Sequence, residues 1–353
     1  MCELKPKKNV QKILLSSPAH FTSTFETDHI LLHPIIHDDL GKIKYIDRGP
    51  NPFNRFFFIL VFKNPGDEHK NPALQNYYFM GDYICQILGF FFGKRFDNLG
   101  AYEMAGIYKV PNIDFAPIYE CDRIFNNWEP RKDCGYDLTF DVLTRIDNLI
   151  FPGVSKEAMK YLLAASRQYW RSLQLFEIDP ELAFLNLVSC GEILSNAPEF
   201  KLSEEELYSI DDRSMFLDIK ENLEKGKKYE RSIKSRFFQV KRKYAIVLEY
   251  LLSIGFKSRD YNKGSYNLNQ RIKASYDLRS HYTHNGVPFG EHIVWRYDLL
   301  MGKPNSGIKE LDKYLFKSPT YQGLERIMRF ALLRFCNQFV LRFDERLDDP
   351  SPT

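Results

Sequence analysis

The chain has no Cys-x-x-Cys pair, no apolar run of membrane length, no repeat of fixed period and almost no net charge. Its six cysteines (Cys2, Cys85, Cys121, Cys134, Cys190 and Cys336) are scattered, several within apolar stretches, which predicts reduced thiols in a cytoplasmic protein. The longest apolar stretch, 83–93, is interrupted by Gln86 and falls short of the roughly 20 residues a spanning helix needs. The N-terminal MCELKPKKNVQKILL is basic, but its apolar run, 13–15, is too short for a signal-peptide core. Neither secretion nor membrane insertion is expected. A net charge of +3, from 49 Lys+Arg against 46 Asp+Glu, means that any nucleic-acid footprint must come from local segregation of charge. What the chain does have is aromatic bulk, with 29 Phe and 21 Tyr, and 353 residues, enough for two or three domains at about 150 residues each.

The first 152 residues mix two periods and predict an α+β domain. Segments 29–36 (HILLHPII) and 55–63 (RFFFILVFK) read as strands: short, β-branched or aromatic, and bounded by Pro, Asn and Gly. The apolar spacing over 74–92 favours a helix, followed by a turn in GKRFDNLG, and 106–110 and 115–119 are strand candidates around a PNID turn. From residue 153 to 353 the period is helical, predicting an all-α bundle. Ser155 is a candidate N-cap, Asp179-Pro180 opens a helix, and 182–194 (LAFLNLVSCGEIL) is apolar nearly all round, as a central buried helix would be. Ser203 and Glu206 form a capping box, helices are expected over 237–254 and 268–284, and Leu324, Met328, Ala331, Phe335 and Phe339 mark a long amphipathic helix at the end.

Three chemical motifs are weaker than they look. Gly89 to Lys94 resembles a phosphate loop but is one residue short between its glycines and puts Arg95 where a Ser or Thr should meet magnesium. His29, His33 and His37 have the spacing of metal ligands on a helix, but Pro34 and the β-branched neighbours favour a strand, so no metal site is expected. Cys190, inside the apolar helix, reads as core rather than nucleophile.

Two segments carry more. Between 220 and 243 ten Lys or Arg residues face only Glu221, Glu224 and Glu230, a net of +7. Such a stretch would attract a phosphate backbone through Lys227, Lys228, Lys241 and Arg242, with Tyr229, Phe237 and Phe238 adding stacking surface. The same charges would equally serve as a solvated helix face balancing the acidic run 204–212. The second segment is 276–286, YDLRSHYTHNG. Asn285-Gly286 before Pro288 is a helix stop, so His284 falls in the final turn, where the helix dipole attracts positive charge, a setting suited to a proton donor. Arg279 lies five residues earlier, about 140° round an ideal helix and ~7.5 Å along it. One straight helix therefore does not aim both at one phosphate; either it breaks near His284 or a second copy completes the site.

The run Arg279, Ser280, His281, Tyr282, Thr283, His284 resembles the Arg-x(4–6)-His signature of the HEPN superfamily (higher eukaryotes and prokaryotes nucleotide-binding), and Tyr276-Asp-Leu-Arg279 resembles its Apea-like branch. The upstream helix, from Asp179-Pro180 through Glu192 to Ser195, is similar to the same branch, so the resemblance covers about 155–345. It implies a helical domain that dimerises and sets two motifs in one cleft, where many members cut RNA without a metal or cofactor, often in antiviral (phage) defence or as toxins. Carried over, Arg279 would hold the scissile phosphate and His284 would be general acid or base for 2′-hydroxyl attack. Ser280 keeps a hydroxyl where the family often has another polar group, and His281 is an auxiliary candidate.

Glu192 is a carboxylate in an otherwise apolar helix, where an unpaired charge is costly, so it is expected to pair with a motif side chain such as Arg279 or with a neighbouring backbone group or Tyr. Residues 1–152 read, by position only, as a sensing or regulatory domain. The expected whole is a cytoplasmic, homodimeric, metal-independent endoribonuclease with RNA as partner and a phage-derived trigger or neutralising partner. The alternative is a non-catalytic HEPN-like module for dimerisation and for binding RNA or protein.

Overall fold

A computed structural model describes residues 10–19, 21–35, 56–63, 78–103, 106–111, 130–131, 138–150, 156–236, 239–252, 256, 267–290, 293 and 309–342. It holds an N-terminal five-stranded antiparallel sheet followed by a mostly helical region. The strands are β1 (Val10–Ser17), β2 (Phe25–Glu26), β3 (Ile30–Pro34), β4 (Phe56–Lys63) and β5 (Asp97–Glu103), in the spatial order β2-β3-β4-β1-β5. β1 is the partner of both β4 and β5, with Ile13 opposite Leu60 and Leu15 opposite Phe58. One face of the sheet packs these residues into the main core. The other carries a small cluster of Val10, Leu31, Ile59 and Val61.

The expected strands at 29–36 and 55–63 are β3 and β4, but β1 was not foreseen. Its sequence, VQKILLSS, is buried on both faces, so it shows no alternation, and its Lys12, buried and paired with Glu103, reads as part of a basic terminus. Only the first part of GKRFDNLG is a turn. Gly93 takes the left-handed conformation (φ 62°), Phe96 enters the core, and Asp97 begins β5, whose two register irregularities leave Leu99 and Tyr102 without partners on β1. No strand forms over 106–110; 115–119 lies outside the described residues.

Helix α1 (Tyr78–Phe92) packs between the sheet and α3 (Glu157–Leu175), with Ile84, Cys85, Ile87, Leu88, Phe90, Phe91 and Phe92 all buried. A 3₁₀ helix (Phe140–Ile146) and the short α2 (Asp147–Ile150) come between them in the chain. The cap of α3 falls on Lys156, one position after the expected Ser155, and offers no side-chain bond to the helix; Lys156 Nζ donates to Val340 O instead. α4 (Pro180–Ser195) has Asp179 as its N-cap and Pro at its start, and touches α3, α8 (Val240–Leu252), α9 (Leu268–Asn285) and α11 (Tyr321–Phe335). It is the central helix its all-round apolarity predicts. Between α4 and α8 run α5 (Glu204–Leu207), carrying the expected Ser203–Glu206 capping box, α6 (Ile210–Asn222) and α7 (Gly226–Arg236). α10 (Lys309–Leu315) lies against α9.

The last helix departs from the amphipathic expectation. α11 is buried nearly all round, including Glu325 and Arg329, and ends in a π-helical turn, Cys336–Val340. Glu325 receives both guanidinium arms of Arg131 (2.6 and 2.8 Å) and the Tyr169 hydroxyl; Arg131 also reaches Gly93 O, and Arg329 donates to Phe91 O at 2.6 Å. Charges that a helical wheel assigns to solvent are satisfied by partners far away in sequence. Trp170 Nε1 likewise donates to Phe96 O. One hydrophobic core therefore runs from the sheet through α1 to the bundle, across residue 152.

Candidate nucleic-acid site on the α4–α8–α9 face

Helix α9 is well bounded. Asn267 accepts a bond from Gln270 N at 3.1 Å, and Gly286 ends the helix in the left-handed conformation (φ 63°), its N–H donating to Tyr282 O. Between them the helix is unbroken through Asn285. Of the two ways of reconciling Arg279 with His284, a helix break is thus removed, and the 140° separation stands within one chain.

Arg279 points to α4. Its Nη1 lies 3.0 Å from Glu192 Oε1, and its guanidinium sits over the Tyr276 ring at 5.7 Å. Tyr276 also hydrogen-bonds Glu192 and packs against the buried Tyr244 of α8, with ring centroids 5.7 Å apart. Burial raises the Glu192 carboxyl, against the lowering influence of Arg279 and the Tyr276 hydrogen bond. Burial likewise raises the Tyr276 phenol, and the nearby Glu192 charge adds to it. Of the partners left open for Glu192, a motif side chain and a neighbouring Tyr both meet it, as Arg279 and Tyr276. A guanidinium has five N–H donors in a planar fork, so Glu192 fixes the group while leaving donors for an anion.

The other motif residues face elsewhere. His281 packs on Tyr314 of α10 (4.6 Å between centroids), and its Nδ1 lies 3.1 Å from Asn285 Nδ2. Thr283 Oγ1 donates to Arg279 O at 2.6 Å. Ser280 is half-buried and His284 is exposed in the last turn, where no described side chain fixes its ring. Arg279 and Glu192 are brought together; Ser280, His281 and His284 do not join them in the single chain.

The basic stretch divides in two. On α7, Lys227 and Lys228 are exposed, whereas Lys234 is paired with Glu204 (2.7 Å) and Glu230 (2.8 Å), the balancing of the acidic run that the solvated-face reading anticipates. On α8, Lys241 contacts Asp277 at 2.6 Å, two residues before Arg279, and Arg242 contributes to holding the Asp212 carboxyl below its usual range, behind the Ser209 hydrogen bonds. The stretch is not remote from the motif. Phe237 and Phe238 lie outside the described residues, and Tyr229 is exposed.

Sequence reasoning missed Tyr276, Asp277 and Lys243 as members of this face. The signal was available for Tyr276, which precedes Arg279 by three residues and so shares its helix face. Lys94 of the phosphate-loop resemblance is fully buried, Cys190 is core with burial pushing its thiol up, and His33 lies on β3, bonded to Thr24 Oγ1 at 2.5 Å. His37 is outside the described residues. No described helix is long and apolar enough to cross a membrane. The chain matches no family model, no curated protein and no solved structure.

Proposed function

We propose that the chain is a metal-independent endoribonuclease of HEPN type, acting as a homodimer. The observation that carries this is Arg279, fixed by Glu192 at a partly open surface with donors to spare, on an unbroken helix that ends beside an exposed His284. In the proposed reaction Arg279 binds the scissile phosphate and stabilises its growing negative charge. One His284 accepts the 2′-hydroxyl proton as the 2′-oxygen bonds to phosphorus; His284 of the partner subunit protonates the departing 5′-oxygen as its bond to phosphorus breaks. The products are a 2′,3′-cyclic phosphate and a free 5′-hydroxyl. The unbroken α9 supports the need for two copies, because neither motif alone can aim both groups at one phosphate. The resemblance to the Apea-like branch supports a cytoplasmic role in phage defence or as a toxin, with a phage-derived trigger or a neutralising partner acting through residues 1–152.

Purified protein should cut RNA in the presence of EDTA. Arg279→Ala and His284→Ala should each lower the rate by at least a hundredfold with the fold retained by circular dichroism, in line with the ~10²–10⁴-fold contribution of a positioned acid or base. Mixing His284→Ala chains with wild type should reduce activity by more than dilution. Cutting that needs a divalent ion, or that survives both substitutions, would overturn the mechanism; RNA binding without cutting would leave the non-catalytic module.

A further inference from the structure

The cations of the basic stretch differ in whether their charge is already answered. Lys234 faces Glu204 and Glu230, Lys241 faces Asp277, and Arg242 lies near Asp212. Lys243 of α8 is half-buried, and its one hydrogen bond among the described residues runs to a neutral group, Asn196 Oδ1, at 3.3 Å. No described carboxylate lies within ion-pair distance of its ammonium. Burial holds the group below the ordinary lysine range, so neither Asn196 nor the nearby end of α4 offsets the cost of desolvating it.

Its position gives that uncompensated charge a direction. Asn196 follows Glu192 by four residues at the end of α4, so the two lie one above the other on the same helix face, ~6 Å apart. Glu192 holds Arg279 and Asn196 holds Lys243. The next residue on α8, Tyr244, packs against Tyr276, whose ring lies under the Arg279 guanidinium. Two cations therefore hang from partners on adjacent turns of α4, one of them over the Tyr276 ring, so the face offers two neighbouring anion-binding groups.

Resting on the endoribonuclease reading, we infer that this face binds single-stranded RNA by two consecutive phosphates, Arg279 taking the scissile one and Lys243, seated on Asn196, its neighbour. Lys243 is a binding residue here; it holds the strand in register and takes no part in bond making. A contact that is equal in ground and transition state changes affinity rather than the chemical step.

The test uses the full chain with two probes: a short fluorescent 2′-O-methyl oligouridylate, which cannot undergo 2′-hydroxyl attack, and its ribose counterpart. Lys243→Ala should weaken binding of the methylated strand about tenfold and reduce the slope of log affinity against log salt by about 0.7, the loss of one phosphate contact on a single strand. Single-turnover cleavage of the ribose strand at saturation should stay within twofold of wild type, and Lys243→Arg should retain affinity and slope. If Lys243→Ala lowers only the melting temperature, with affinity and slope unchanged, the lysine serves the end of α4 and the two-phosphate site is overturned while the nuclease reading survives. If Lys243→Ala weakens binding but wild type never cuts, the site stands and the nuclease reading falls. A wild type that neither binds nor cuts removes both.

Discussion

Gly191 is where the candidate site meets the core. A Cβ at this position would lie 2.5 Å from Tyr244 Cε2 and 3.1 Å from the Met328 side chain, so the Tyr244 ring occupies space that any other residue would claim. Tyr244 in turn supports Tyr276, and Tyr276 supports Arg279. Gly191→Ala should therefore cost about 1–3 kcal/mol of stability through overpacking, read from denaturant unfolding. At this scale the sequence reveals pairs more readily than supports. A lone carboxylate in the apolar 182–194 run needs a partner, for which the sequence offers Arg279 or a neighbouring backbone group or Tyr; which rings back the pair depends on how α8 crosses α9, which no spacing encodes.

Among the elements, α9 was legible at its C-terminal end, where Asn285-Gly286 is a chemical stop, while its Asn267 N-cap was not read from the sequence. Asn267 and Gly286 are a side-chain cap and a left-handed stop, and replacing either should loosen the helix that carries the motif. Asn267→Ala should lower stability by ~1 kcal/mol, and Gly286→Ala, forced to φ 63°, by about the same, both read as shifts in thermal unfolding. β1 and β5 were illegible for opposite reasons. β1 is buried on both faces and so loses the alternation that identifies a strand, while β5 contains Asp, Asn and Gly that look like a turn and become a strand only because β1 offers its edge. α11 misled through its charges: Glu325 is tolerated inside because Arg131, itself bonded to Gly93 O, and Tyr169 donate to it, and Arg329 donates to Phe91 O.

For the whole molecule that buried network joins the two regions. Arg131 and Glu325 are each nearly inaccessible, and removal of one leaves the other charged and unanswered. Glu325→Gln should destabilise by about 3–5 kcal/mol, whereas Arg131→Met with Glu325→Leu should recover most of the loss, as replacing both buried charges by apolar groups often does. Because one core spans both regions, calorimetry should show the sheet and the bundle melting together; two resolved transitions would contradict a shared core. The sequence change near residue 152, from mixed to helical period, marks a change of element type, and nothing in periodicity reports whether two such regions share an interior.

Among the described residues the sheet has two margins, β2 and β5, and neither invites a stranger. At one side β2 has two residues, too few to template another strand; at the other, β5 shifts register twice along β1 and takes φ 101° at Gly100. A continuous flat margin would present a row of unsatisfied amides to any passing chain. The irregularities that hid β5 in the sequence thus make that margin a poor template for another chain, and straightening it should raise self-association, read by light scattering at high concentration.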